Sequence, residues 1–139
     1  MTATARLEAL RDRFDSAGVD GILISAPENR RYLSGFSGSS GFLVVTRDEA
    51  VLATDFRYVE QAGQQAPDFR VQRVNGRVTG LGEVIARMDV GRLGIESDHM
   101  SVADHHALSE SVVAARPTSP PDLVDTVGIV DDLRAVKEP

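Results

Sequence analysis

The segment Asp55-Phe-Arg57-Tyr58 sets a carboxylate, a guanidinium and a phenol within one turn of chain, directly after the apolar run Ala50-Val-Leu-Ala-Thr54. Carboxyl ends of sheet strands are where α/β proteins place binding groups. From that place Arg57 can grip a carboxylate through two parallel N–H bonds. A second reading has Asp55 capping a helix, Arg57 in an internal ion pair and Tyr58 packing. The residues alone leave both open.

Gly35-Phe-Ser-Gly38-Ser-Ser-Gly41 is the other segment with chemical potential. Phosphate loops follow a strand and open a helix, so that helix amides face the anion. This loop does the reverse, and no Gly-Lys-Ser/Thr accompanies it. It reads as a flexible loop whose glycines allow a tight backbone path, or as one that touches a substrate or partner domain. His99, His105 and His106 are the only histidines. Adjacent His105 and His106 diverge by about 100° on a helix, and without a third converging ligand no metal site is expected. Asp98 reads as a helix cap or near-cap. Gly38-Ser-Ser-Gly41 is one residue short of a nucleophile elbow and lies in the wrong context. Asp131-Asp132 and Asp48-Glu49 fit a solvated helix face and a turn. The chain has no cysteine, which excludes thiolate chemistry and disulfides. No catalytic residue is expected here.

The elements that must position these groups follow from spacing. Leu7, Leu10, Phe14 and Ala17 predict a helix from about Thr4 to Ala17, closed by Gly18. Asp20 to Ser25 reads as a buried strand, and Pro27 opens a helix over Glu28 to Leu33. Phe42–Thr46 and Ala50–Thr54 are strands joined by the turn Arg47-Asp48-Glu49. Helix is expected over Asp55 to Ala66, a half-buried or edge strand over Arg70 to Val74, and helix over Leu81 to Met88. Arg92–Glu96 is a strand, and Ser101 to Ala114 a helix with Ser101 and Asp104 as a capping pair. An extended piece, Ala115 to Thr118, leads through Pro120-Pro121 to a last helix capped by Asp122 and running to about Lys137. Acids at its start and bases at its end suit the helix dipole. The alternation, with one antiparallel hairpin, means a mixed sheet covered by helices on both faces.

Size and charge bound the function. The 139 residues, 42% hydrophobic and 26% charged, suit one globular domain. No apolar stretch approaches the ~20 residues that span a bilayer, and no secretory signal is expected, so the reading is cytoplasmic with no membrane partner. Net charge is −6 and Arg30-Arg31 is the only adjacent basic pair, so no nucleic-acid partner is expected.

Four stretches in this order resemble the N-terminal domain shared by Xaa-Pro aminopeptidases, prolidases and creatinase. Pro27-Glu-Asn-Arg-Arg-Tyr-Leu-Ser-Gly-Phe36 is similar to the family's Asn-x-x-Tyr-Leu-Thr/Ser-Gly-Phe. Thr54-Asp-Phe-Arg-Tyr-Val-Glu-Gln-Ala62 is similar to Thr-Asp-x-Arg-Tyr-x-x-Gln-Ala, which points to the aminopeptidase side rather than to creatinase. Gly94-Ile-Glu-Ser-Asp-His99 is similar to Gly-x-Glu-x-x-His. Leu133-Arg-Ala-Val-Lys-Glu-Pro139 is similar to the Leu-Arg-x-Ile/Val-Lys-x-Pro that leads to the catalytic domain.

The resemblance implies a three-layer α/β/α fold of the ribonuclease H-like kind with a mixed sheet of about six strands. It implies residues 1–132 as this domain and 133–139 as the start of a linker to a C-terminal catalytic domain outside the chain. That catalytic domain would have a pita-bread fold carrying two divalent metal ions (Mn, Co or Zn). Proline-containing peptides would be the substrates and a homodimer the assembly. Phe36, Ser37, Ser39 and Ser40 would line a pocket rim, and Asp55, Arg57 and Tyr58 would fix peptide termini or the interface. The rival implication is a peptide- or protein-binding module of a pseudo-peptidase. The 139-residue chain by itself, supplied with Mn²⁺ and a Xaa-Pro peptide, is expected to release no product; turnover at enzymatic rates in that assay would overturn the reading.

Overall fold

Ile22, Leu23 and Ile24 are all wholly buried, although successive strand side chains point to opposite faces. Such a strand needs a packed layer on each side. The computed structural model of the chain describes residues 1–135 and supplies both. Its strands are β1 (Gly21–Ile24), β2 (Phe42–Thr46), β3 (Ala50–Thr54), β4 (Arg70–Arg73), β5 (Arg92–Glu96) and β6 (Asp122–Thr126). Its helices are α1 (Ala3–Arg11), α2 (Phe14–Ala17), α3 (Pro27–Ser34), α4 (Val59–Gln65), α5 (Gly82–Ala86), α6 (Val102–Ala115) and α7 (Ile129–Ala135), with a 3₁₀ turn at Val78–Gly80.

The strands form one six-stranded sheet in the order β4-β3-β2-β1-β5-β6. β2 is antiparallel to β1 and β3; the other neighbours are parallel. All strands but β2 therefore end at one edge of the sheet, where β2 begins. Ile22, Ile24, Leu43, Val45 and Leu52 pack on one face with Leu7, Leu10, Phe14 and Leu33. Leu23, Val44, Val51, Leu93 and Ile95 pack on the other with Leu81, Ile85, Leu108 and Val112. This is the three-layer mixed architecture that the alternation predicts.

Four elements differ from the sequence expectation. The first helix breaks at Asp12 and Arg13 and resumes at Phe14, closing on Gly18 in the left-handed region (φ 71°). The segment from Asp55 is a turn, and its helix starts only at Val59. The sixth strand is Asp122–Thr126, not the piece after Ala114, of which only Ala115 joins α6. Pro120-Pro121 extends the backbone into β6, where Leu123 pairs with Leu93 of β5. Asp122 caps no helix; it faces Arg92 across the strands at 4.0 Å. The last helix begins after Gly128 (φ 75°). Lys137 and the end of the Leu133–Pro139 motif lie outside the described residues. No described helix is long and apolar enough to cross a membrane.

The layer of α5 and α6 depends on one close approach. The Ser111 hydroxyl accepts from the Gly82 N–H at 3.1 Å and donates to the Thr79 carbonyl at 2.8 Å. A Cβ on Gly82 would come within 2.3 Å of the Ser111 backbone oxygen. Alanine normally favours a helix over glycine by about 1 kcal/mol. Here Gly82→Ala is expected to destabilise the fold by about 2 kcal/mol in urea unfolding, and a stabilised variant would refute the contact.

Candidate functional site

The candidate site is built where β1 and β5 end. Glu96, the last residue of β5, is buried, and a buried carboxylate must be surrounded by donors. Its Oε1 accepts from the Ser25 N–H at 2.7 Å and the Ala26 N–H at 2.8 Å, and its Oε2 accepts from the Asn29 side-chain amide. The Asn29 Oδ1 accepts from Arg134 of α7 at 3.0 Å. One carboxylate thus ties the entry of α3 to the end of β5, and through Asn29 to α7.

Helix α3 then aims Arg30 inward, 4% exposed. Its guanidinium donates to the Gly41 and Gly38 carbonyls, both at 2.8 Å, so the glycine loop folds around it. Burial lowers the Arg30 pKa. Phe36 is buried under the same loop, and a Cβ on Gly38 would fall 2.2 Å from its ring. Gly35 (φ 83°) ends α3 in the left-handed region, where glycine carries no Cβ penalty.

Thr54, at the end of β3, donates its hydroxyl to the Ser40 carbonyl at 2.6 Å. Asp55 follows, and its Oδ1 accepts from the Arg57 N–H and Nε, both at 3.0 Å, while Oδ2 accepts from Nη2 at 2.9 Å. Arg57 therefore turns back on its own segment, as in the internal-pair reading of the sequence. Its hydrogen bonds hold the Asp55 carboxyl at about 2 instead of 3.8, and the pairing raises the Arg57 pKa in return. Tyr58 packs edge-on to Phe36, with ring centroids 5.8 Å apart. Its hydroxyl meets the Ser39 hydroxyl at 2.6 Å, which lowers its pKa. Ser37 sits at the outer end of the loop, where its N–H donates to Gln65 of α4 at 2.9 Å.

The seven residues singled out from the sequence thus gather at one edge of the sheet. Ser37, Ser39 and Arg57 are exposed and Ser40 and Tyr58 half-buried, whereas Phe36 and Asp55 are buried beneath them. A cleft of about 230 Å³ adjoins them, lined by Ser25, Arg30, Ser39, Ser40, His99 and Asp104 among others. Sequence reasoning missed Glu96, Asn29 and Arg30 as its organisers. Both Glu96 and Asn29 stood inside the quoted motifs, but nothing in their spacing shows that they touch.

Ser25 Oγ lies 3.0 Å from His99 Nδ1, a serine–histidine pair. The backbone amides that could stabilise an oxyanion beside Ser25 are already bonded to Glu96. Among the described residues, no group of three or more His, Cys, Asp or Glu side chains is placed to hold a metal ion. The described residues therefore do not fit a metal centre.

A family model described as the Creatinase/Prolidase N-terminal domain matches residues 6–136. An uncharacterized peptidase, YqhT, from Bacillus subtilis is 34% identical over 133 residues, covering 95% of this chain and 36% of that protein. A solved Xaa-Pro dipeptidase from Bacillus anthracis superposes with a TM-score of 0.88 at 32% identity, over 99% of this chain and 37% of its own. The N-terminal domain of the cytoplasmic peptidase PepQ from Mycobacterium tuberculosis H37Rv superposes with a TM-score of 0.84 at 39% identity, over 94% of this chain and 98% of its own. The chain thus spans little more than a third of the two longer relatives and nearly all of the isolated domain.

The Asp55–Arg57 pair has a pH signature. A carboxyl whose folded pKa lies below its unfolded one stabilises fully above the unfolded value and loses that contribution as pH falls through the folded one. The contribution is complete above about pH 4 and fades as pH falls through about 2. A carbon-detected NMR titration is expected to find Asp55 still ionised at pH 3, and Arg57→Ala to return its midpoint toward 3.8; a midpoint already ordinary in the unchanged chain would refute the pair.

Proposed function

We infer, because the chain belongs to the Creatinase/Prolidase N-terminal domain family, that it serves as the non-catalytic N-terminal domain of a metal-dependent Xaa-Pro aminopeptidase or prolidase. Such an enzyme removes the residue preceding proline from peptides. The observation that carries this reading is the end-to-end likeness to the separate N-terminal domain of a peptidase, at 39% identity. The two divalent metal ions and the residues that polarise the scissile carbonyl belong, on this reading, to a C-terminal catalytic domain. The native setting proposed is a cytoplasmic homodimer.

The role of this domain is to shape access to that catalytic centre. Ser37, Ser39, Ser40 and Tyr58 present hydroxyls on a rim that is already pinned to the sheet and to α4. A preorganised rim loses little entropy when a peptide or a neighbouring subunit settles on it. Arg57 keeps an exposed side chain while bonded to Asp55, so its outward edge can still meet a peptide terminus or a dimer partner.

The gene beyond Pro139 is expected to encode metal-ligating Asp, His and Glu residues, and its full product to cleave Xaa-Pro bonds when a divalent metal is supplied. A downstream sequence without those ligands would leave a binding module of a pseudo-peptidase. In the full-length enzyme, Arg57→Ala is expected to raise KM about tenfold or to weaken the dimer, with an unchanged circular dichroism spectrum. Unaltered kinetics together with an unaltered oligomer would remove Arg57 from the functional surface.

A further inference from the structure

We propose that the outer edge of β4 docks an extended, acidic polypeptide segment of a partner protein by adding it to the sheet as a further strand. Among the described residues, β4 ends the sheet and pairs on one side only, with β3. The Val74 N–H donates inward to the Thr54 carbonyl at 2.8 Å. Alternation along the strand then turns the backbone N–H and C=O groups of Val71 and Arg73 away from β3. Such an edge is a template for an incoming strand.

The side chains around the edge state what charge that strand carries. A groove of about 290 Å³ between β4 and α5 has Arg70, Arg73 and Arg87 among its lining residues, with Glu83 as the acid beside them. Arg70 reaches Glu49 at 3.4 Å, with both side chains partly in solvent. Arg73 lies over the ring of Phe56, 5.7 Å from its centroid. Among the described residues neither Arg73 nor Arg87 meets a carboxylate. In a chain of net charge −6, this local excess of cations complements an acidic ligand. Val74 and Val84 add apolar lining to the groove, and Phe56, 69% exposed, stands beside Arg73 as an apolar anchor.

The backbone decides between a peptide and another polyanion. An open strand edge offers acceptors as well as donors, and only a polypeptide has N–H groups at the matching repeat to fill the acceptors. Phosphate chains and nucleic-acid backbones satisfy the donors and the charge but leave the carbonyls unmet.

The probe is a fluorescein-labelled octapeptide of alternating glutamate and threonine, titrated into the 139-residue chain and followed by anisotropy. Saturable binding is expected, with amide shifts centred on Val71 and Arg73. N-methylation of alternate peptide residues should abolish it, and polyphosphate of equal charge should bind more weakly. The double variant Arg73→Glu/Arg87→Glu should bind at least about tenfold more weakly, with amide shifts outside β4 and α5 unchanged. Equal binding of the methylated peptide or of polyphosphate overturns the proposal, as do shifts located elsewhere. So does an unchanged chain that binds nothing while the arginine variants self-associate, because the arginines then serve only to keep sheet edges apart.

Discussion

A single buried carboxylate, that of Glu96, sets the geometry on which the candidate site rests. A carboxylate out of water is tolerable only when donors converge on it. Here they come from the Ser25 and Ala26 backbone and from Asn29. Those bonds fix the angle at which the chain leaves β1 and enters α3. The further bond from Arg134 to Asn29 carries the same constraint to α7. Removing the carboxylate would leave buried donors unmet, so the site and the fold share this element.

From that entry angle follows the position of Arg30, and from Arg30 the shape of the glycine loop. The arginine is a buried cation that donates to the carbonyl oxygens of Gly38 and Gly41. Carbonyls can take that role only if the loop curls closely around the guanidinium. The Phe36 ring fills the space beneath, and Gly38 lies against it where a Cβ would collide. The loop is irregular in backbone yet held by side chains from α3, β3 and α4. It behaves as part of the scaffold, which is what a recognition rim requires.

The sheet topology separates two surfaces with different chemistry. The edge where β1, β3 and β5 end gathers the hydroxyls of Ser39, Ser40 and Tyr58 and the Asp55–Arg57 pair, as the general rule for α/β sheets anticipates. The flank of β4 instead offers unpaired backbone and arginines. On the proposed function, recognition at the first surface would be by side-chain hydroxyls on a pinned loop. At the second it would be by main-chain bonds with charge as the filter.

Much of the architecture was legible in the residues. Apolar runs such as Gly21–Ile24 and Phe42–Val45, punctuated by glycine and proline, specify buried strands through local patterning. The motif order specifies the family, and the seven site residues named from it do gather at one edge. The exceptions were decided by partners distant in the chain. Asp122 looks like a helix cap locally, yet it lies in a strand because β5 offers a ladder to pair with. Whether Arg57 is free or paired with Asp55 was undecided until the turn after β3 took shape. That Glu96 and Asn29, 67 residues apart, share a hydrogen bond is invisible to any local pattern, because burial and hydrogen bonding between remote segments exist only once the layers have closed.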